Sequence, residues 1–229
     1  MKPLSLLVLV ALCACSQQPT PNGAASSASN APAPNTAVAG TYTLDKSHAS
    51  LVFRVSHIGF SHYTAQFKSF DAELQFDPTN IAASSVTAKI DPRSLEVNSP
   101  PAGFLDALLG DQWLNAAQFP EMSFKSTKLE ATGVNSVRAN GDFTLHGVTK
   151  PVALDITFNG GYAGHPMDPH SRIGFSAHGS FKRSDFGIAY GIPEPGSTMG
   201  VGDEVQFNIE AEFSGPPLAN TEPSPTKEK

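Results

Sequence analysis

An all-β fold, an antiparallel sheet that closes or folds over on itself, is predicted for this 229-residue chain by three observations. Apolar residues recur at every second position in about eight separate stretches. Turn residues stand between those stretches, and no segment carries the spacing of a long amphipathic helix. Alternation of period two puts one face of a strand against water and the other against an apolar interior. Closure into a barrel also removes exposed strand edges.

The first residues, "MKPLSLLVLVALCACSQQ", join one positive charge (Lys2) to an apolar run from Leu4 to Leu12, with small residues just before Cys15. This is the pattern of an export signal, too short to span a bilayer, and it sets residues 1–14 apart as a signal peptide. "LCAC" (Leu12 to Cys15) resembles the lipobox of bacterial lipoproteins, which implies acylation of Cys15 and removal of Cys13 with the signal. Ser16 beside it implies sorting to the outer membrane, on the periplasmic side of the envelope. Plain secretion, with Cys15 left as a free thiol, is the alternative. Either way the mature chain has no thiol pair, so its core alone must hold it.

Residues 15–40 are rich in Ala, Ser, Pro and Asn and read as a disordered tether. Residues 215–229, with the same composition, read as a disordered tail. The folded unit is expected over residues 41–214. Its inward rows, in chain order, are Leu51/Phe53/Val55, Phe70/Ala72/Leu74/Phe76, Val86/Ala88/Ile90, a short one at Met122/Phe124, Val137/Ala139/Gly141/Phe143/Leu145, Val152/Leu154/Ile156/Phe158, Ile173/Phe175/Ala177/Gly179/Phe181 and Val205/Phe207/Ile209/Ala211/Phe213. Only "PAGFLDALLGDQWLNAAQFP" interrupts them, with Phe104, Leu105, Leu108 and Leu109 spaced for short helical turns and Asp111 placed to cap another. This segment is expected to cover one end of the barrel.

The formal net charge is −6, and no run of Lys or Arg provides a footprint for nucleic acid or for an anionic membrane surface. All 15 Phe residues lie within the folded unit. Alternating Phe is more often ordinary core than a cavity wall. Small residues in the same rows (Ala72, Ala88, Ala139, Gly141, Ala177, Gly179 and Ala211) favour a cavity, because large and small side chains together leave room inside a closed barrel. The expected lining is Phe53, Phe70, Phe76, Phe124, Phe143, Ile156, Phe158, Phe175, Phe207 and Ile209.

"LHGVTKPVAL" (Leu145 to Leu154) reads as a tight hairpin connection. Gly147 permits the turn, and Pro151 has no amide to give to a ladder. His146 and Lys150 would then lie at a barrel rim, and Arg183 is a third polar rim candidate.

The same stretch is similar to the "LTIxGVTKPVxL" signature of the YceI-like family. "YTLDKSHASLVFRVSHIGFS" (Tyr42 to Ser61), "LQFDP" (Leu74 to Pro78), "FPEMSFKST" (Phe119 to Thr127), "FKRSDFGI" (Phe181 to Ile188) and "VGDEVQFNIEAEF" (Val201 to Phe213) resemble further family segments in the family's order. Many members carry an Arg-Asp pair before the helical segment; this chain has "NSPPAGFLDALLGDQWLN" there, so no role of that pair carries over. The resemblance implies an eight-stranded lipocalin-like β-barrel with a short helical lid, holding an isoprenoid lipid or quinone by apolar contacts. It implies no chemistry on that ligand and no cofactor other than it. Membrane attachment would come through the lipid anchor, and edge strands or the lid leave a homodimer open.

Two rival readings remain. An enzyme would need a site. His48 and His57 are nine apart and face opposite ways on an uninterrupted strand, while His57/His62 and His165/Asp168/His170 lack a zinc spacing with an adjacent catalytic Glu. "GSTMG" centres on Thr198, and "GVGDEV" lacks the third Gly of a dinucleotide loop. Asp45/His48 and Arg183/Asp185 are the polar pairs of interest, expected to fix strand ends. The second rival is a tethered structural module whose Phe rows pack into a filled core.

Overall fold

The computed structural model describes residues 34–218. Cys15, the segment expected to be a signal peptide and most of the expected tether and tail lie outside the described residues. The described residues form ten strands: β1 (Gly40–His57), β2 (Ser61–Phe67), β3 (Phe70–Phe76), β4 (Ser85–Ile90), β5 (Leu95–Val97), β6 (Met122–Ala131), β7 (Ser136–Leu145), β8 (Val148–Tyr162), β9 (His170–Lys182) and β10 (Val201–Pro217). One helix, α1 (Phe104–Leu109), lies in the stretch between β5 and β6.

Eight of these strands close the barrel. The ring runs β1-β3-β4-β6-β7-β8-β9-β10 and returns through the pairing of β10 with β1, all antiparallel. The other two, β2 and β5, branch from it. Gly40 to Thr43 of β1 pair with Phe76 to Glu73 of β3, whereas Leu51 to His57 pair with Phe67 to Ser61 of β2. The changeover falls where the β1–β10 register slips between Leu44 and Ala49. A bulge in one strand bends it and lets its two ends serve different neighbours.

The bulge is pinned from outside. The Asp45 carboxylate accepts from the Ser47 backbone N–H and hydroxyl, faces His48 Nδ1 at 3.1 Å, and accepts from Arg172 Nη1 on β9 at 2.7 Å. Arg172 Nε also donates to Asp168 at 3.1 Å, and Tyr162 donates to Asp168 at 2.8 Å, so the bend in β1 is tied to the β8–β9 connection. Of the two expected polar pairs, Asp45 and His48 do meet.

Near this bend the barrel base is sealed. Tyr42 is fully buried; its hydroxyl lies 2.7 Å from Ser171 Oγ and donates to the Val38 carbonyl, also at 2.7 Å. Tyr42 packs edge-on against Phe76, beside Leu44, Leu74, Ile173 and Phe213. The folded unit is longer than expected at both ends. Pro34 to Ala37 lie along Gly161, with Ala37 buried, and β10 continues past Ser214 to Pro217. Composition hid these extensions because their partners are backbone groups and one ring: Gly215 lies so close to Tyr42 that a Cβ would meet the ring at 2.1 Å.

The bonds from Ser47, His48 and Arg172 hold the Asp45 carboxyl well below the usual carboxylate range. A depressed carboxyl stabilises the folded state above its unfolded-state value of about 4, and that contribution is lost as pH falls through the folded-state value. Asp45→Asn should therefore lower Tm by roughly 2–4 °C near neutral pH, the response to about 1 kcal/mol once solvent screening of a half-buried pair is allowed for. Calorimetry across pH should show that gap shrinking below about pH 4; a gap that stays constant would mean the network contributes nothing through charge.

Candidate functional site

The barrel encloses a cavity of about 580 Å³. Its wall includes nine of the ten residues expected to line it: Phe53, Phe70, Phe76, Phe124, Phe143, Ile156, Phe175, Phe207 and Ile209. The tenth, Phe158, is absent from the wall. A register irregularity between Phe158 and Gly160 turns the strand there, and the ring packs on Phe175 (5.6 Å between centroids) and Phe76 (6.5 Å) in the base seal.

Alternation alone could not separate a wall from a packed core; accessibility can. Phe53, Phe70, Phe143, Phe175, Phe207 and Ile209 point inward yet remain only partly buried, because they face open volume. Tyr42 and Phe186, by contrast, are closed off on every side.

The small residues divide in a way that spacing did not reveal. Ala72, Ala88, Ala177 and Ala211 stand in the wall. Ala139, Gly141 and Gly179 do not. A Cβ at Gly141 would meet the Phe124 ring at 2.3 Å, and one at Gly179 would meet the Phe207 ring at 2.6 Å. At these two positions the room left by a small residue is taken by a neighbouring strand's ring.

The mouth lies opposite the base. There the wall reaches the exposed residues His57, Asn98, Ser99 and Pro101, and it is completed by Phe104, Leu108, Trp113 and Leu114 of the helical segment. This segment packs on the core cluster that includes Phe67, Leu95, Val97 and Met122, and Phe104 meets Tyr63 edge-on at 5.9 Å. Tyr63, Ala65 and Phe67 of β2 also line the cavity. These wall residues were missed, although "YTAQF" does alternate.

The polar rim candidates need correction. Arg183 is in the wall but only 4% exposed, and it is not offered to a head group. Its guanidinium donates to the carbonyls of Gly202, Ile188, Tyr190 and Val201 at 2.8–3.0 Å, and its Cζ lies 5.0 Å from the Trp113 ring centroid. It therefore forms no pair with Asp185 among the described residues. A fork with several fixed donors can tie a loop together in this way. His146, at φ 53°, tucks against Phe119 with ring centroids 4.8 Å apart; its buried Nε2 has no hydrogen-bond partner among the described residues. Lys150 is exposed, and neither it nor His146 is part of the wall.

No group of three or more His, Cys, Asp or Glu is placed to hold a metal ion among the described residues. What the arrangement offers is apolar volume. Its wall gains little from contact with water and would gain packing contacts from an apolar chain. Such a wall is consistent with an apolar occupant.

A closed antiparallel barrel with an apolar cavity and a helical segment at its mouth defines a lipocalin-like ligand barrel. The chain belongs to the YceI-like family, whose domain matches residues 42–213. A UPF0312 protein of Vibrio cholerae is 36% identical over 157 residues, covering 68% of this chain and 81% of that one. The crystal structure of a Campylobacter jejuni YceI protein superposes with a TM-score of 0.59 at 29% identity, covering 70% of this chain and 89% of that one. A polyisoprenoid binding domain from Saccharophagus degradans shares the fold, with a TM-score of 0.55 at 13% identity, covering 76% of this chain and 98% of that one.

If Arg183 ties the mouth together, Arg183→Lys should cost about 2–3 kcal/mol, read as a fall in Tm of roughly 4–12 °C, because one ammonium cannot reach four carbonyls. An unchanged melt would return Arg183 to the list of head-group contacts.

Proposed function

We propose that this protein is a non-enzymatic carrier that holds a long isoprenoid chain, a quinone or a polyprenyl lipid, in the barrel for transport, storage or buffering. The carrying observation is the continuous apolar cavity, whose wall comes from every strand of the ring and from the helical segment. The fold-sharing domain described as polyisoprenoid binding supports the cargo class. The export signal and Cys15 support a lipid-anchored position on the periplasmic side of a bacterial envelope, at the outer membrane. The rival reading, a structural module with a filled core, is disfavoured by the open volume that the inward rows leave.

Energetics favour a shuttle. A 40-carbon chain at ~0.8 kcal/mol per carbon would gain ~30 kcal/mol on leaving water, beyond the ~20 at which real affinities saturate. Water is the wrong reference state, because such a lipid already resides in a bilayer. Moving it into a Phe-lined barrel is nearly neutral, so loading and unloading can both proceed.

Native mass spectrometry of detergent-free protein, with solvent extraction of what co-purifies, tests this reading. A stoichiometric isoprenoid lipid is expected. The double variant Ala88→Leu, Ala177→Leu fills the wall from opposite sides without adding a polar group, so it should keep or raise Tm while cutting retained lipid about tenfold or more. Full lipid retention in the folded variant, or a parent chain that stays lipid-free after incubation with quinones and polyprenols, would remove the carrier reading.

A further inference from the structure

The mouth of the barrel carries exposed apolar side chains that the cavity does not use. Phe60, at the tip of the β1–β2 turn, is 84% exposed, while Tyr190 (53%) and Met199 (73%) stand on the connection from β9 to β10. The two loops form one rim. Ile58 N–H donates to the Gly200 carbonyl at 2.8 Å, Gly59 lies against Thr198, and Val201 N–H closes the second loop on the Gly191 carbonyl at 2.8 Å. Tyr190 meets Trp113 of the cavity wall edge-on at 5.7 Å, so the rim is continuous with the cavity.

Charge is sparse here. The loops 57–62, 98–103 and 189–200 carry a single formal charge, Glu194, in a chain that is 16% charged; the helical segment that completes the mouth adds the exposed Asp106 and Asp111, and none of these stretches holds a Lys or Arg. The base also has exposed apolar side chains, Val38, Val134, Tyr162, Met167 and Leu218, but there Met167 and Tyr162 stand among the charges of Asp168 and Arg172. Single exposed apolar residues are ordinary, but several on two joined loops beside a cavity mouth are not.

We propose that this rim docks on a lipid bilayer, inserting Phe60, Tyr190 and Met199 among the acyl chains so that cargo passes between membrane and cavity without crossing water. The inference rests on the carrier reading for its purpose but not for its test. The occupant is a membrane rather than a protein because the three side chains stand on loop tips around an opening rather than on a flat or grooved face. The absence of Lys and Arg from these loops and from the helical segment also fits insertion by apolar contact rather than attraction to anionic head groups. Docking should accordingly depend little on anionic lipid and little on salt.

Trp113 is the chain's one Trp and touches Tyr190, so its emission reports contact of the mouth with lipid. The intact chain and the variant Phe60→Ser, Met199→Ser, which leaves Tyr190 packed on the Trp113 reporter, both with the same N-terminus, would be mixed with cargo-free phosphatidylcholine vesicles with and without bromine on the acyl chains. Brominated lipid should quench Trp113 in the parent, at low and high salt alike, and leave it unquenched in the variant. Transfer of a fluorescent polyprenol from doped vesicles should slow about tenfold or more in the variant, while the lipid it retains after purification and its Tm stay unchanged. Quenching absent in the parent, or equal in the two, overturns the proposal; absent quenching with a rim-dependent dimer would give the rim to a second copy instead. Rim-dependent quenching with no polyprenol taken up by either protein would uphold docking and sink the carrier reading.

Discussion

The interior of an eight-stranded barrel has a width set by strand number, and side chains must either fill it or leave it for one small ligand. The rest of this structure depends on which occurs. Phe rings from separate strands reach inward, but Ala72, Ala88, Ala177 and Ala211 interrupt them, and the rings do not meet across the axis everywhere. A wall that does not close on itself must be capped at both ends to exclude water. At the base the capping is permanent: Tyr42, Phe76, Phe158 and Phe175 pack ring against ring, and the one buried hydroxyl among them is fully bonded. At the mouth it falls to a short helical segment and two loops.

Much of this was legible in the sequence, for a physical reason. A strand with one face on an apolar interior must alternate, so the eight ring strands and nine wall residues appear as period-two rows. What stayed hidden depends on long-range geometry. β2 and β5 are short branches whose existence follows from the bend in β1 at Asp45, and no local pattern marks a strand that changes neighbours. Phe158 alternates correctly but falls at a register slip, which period two cannot see. Gly141 and Gly179 looked like sources of room, yet a glycine makes space only if no neighbouring strand fills it, and Phe124 and Phe207 do. Family resemblance supplied the lipocalin-like class; the residues alone left a filled sandwich open.

Arg183 shows why a polar residue near a cavity is not thereby a ligand contact. Burying a guanidinium is costly unless its donors are met, and here four backbone carbonyls meet them while Trp113 covers one face. The same bonds close the connection from β9 to β10, so the cation holds the mouth in shape. The charged network at the other end, from Asp45 through Arg172 to Asp168, is likewise structural. With the charges engaged by the fold, the surface left to a ligand is almost wholly apolar. Selection then rests on the length and width of the cavity, a coarse filter that tolerates one methylene more or less.

Coarse selection matches a nearly neutral exchange. If cargo has about the same free energy in the bilayer as in the barrel, tight binding is neither available nor useful, and control passes to the rate at which the mouth admits a chain. Helix α1 has six residues and begins after Gly103 in the left-handed region, with no side-chain cap. A helix that short has little stability of its own in water. It persists because Phe104, Leu105, Leu108 and Leu109 pack on the barrel. Those contacts are apolar on both sides, and an entering lipid chain can replace them with contacts of the same kind. Under the proposed carrier function, the element that closes the cavity is thus held by the interaction the cargo would compete for, so opening and loading together would come at a net cost well below that of exposing either surface to water.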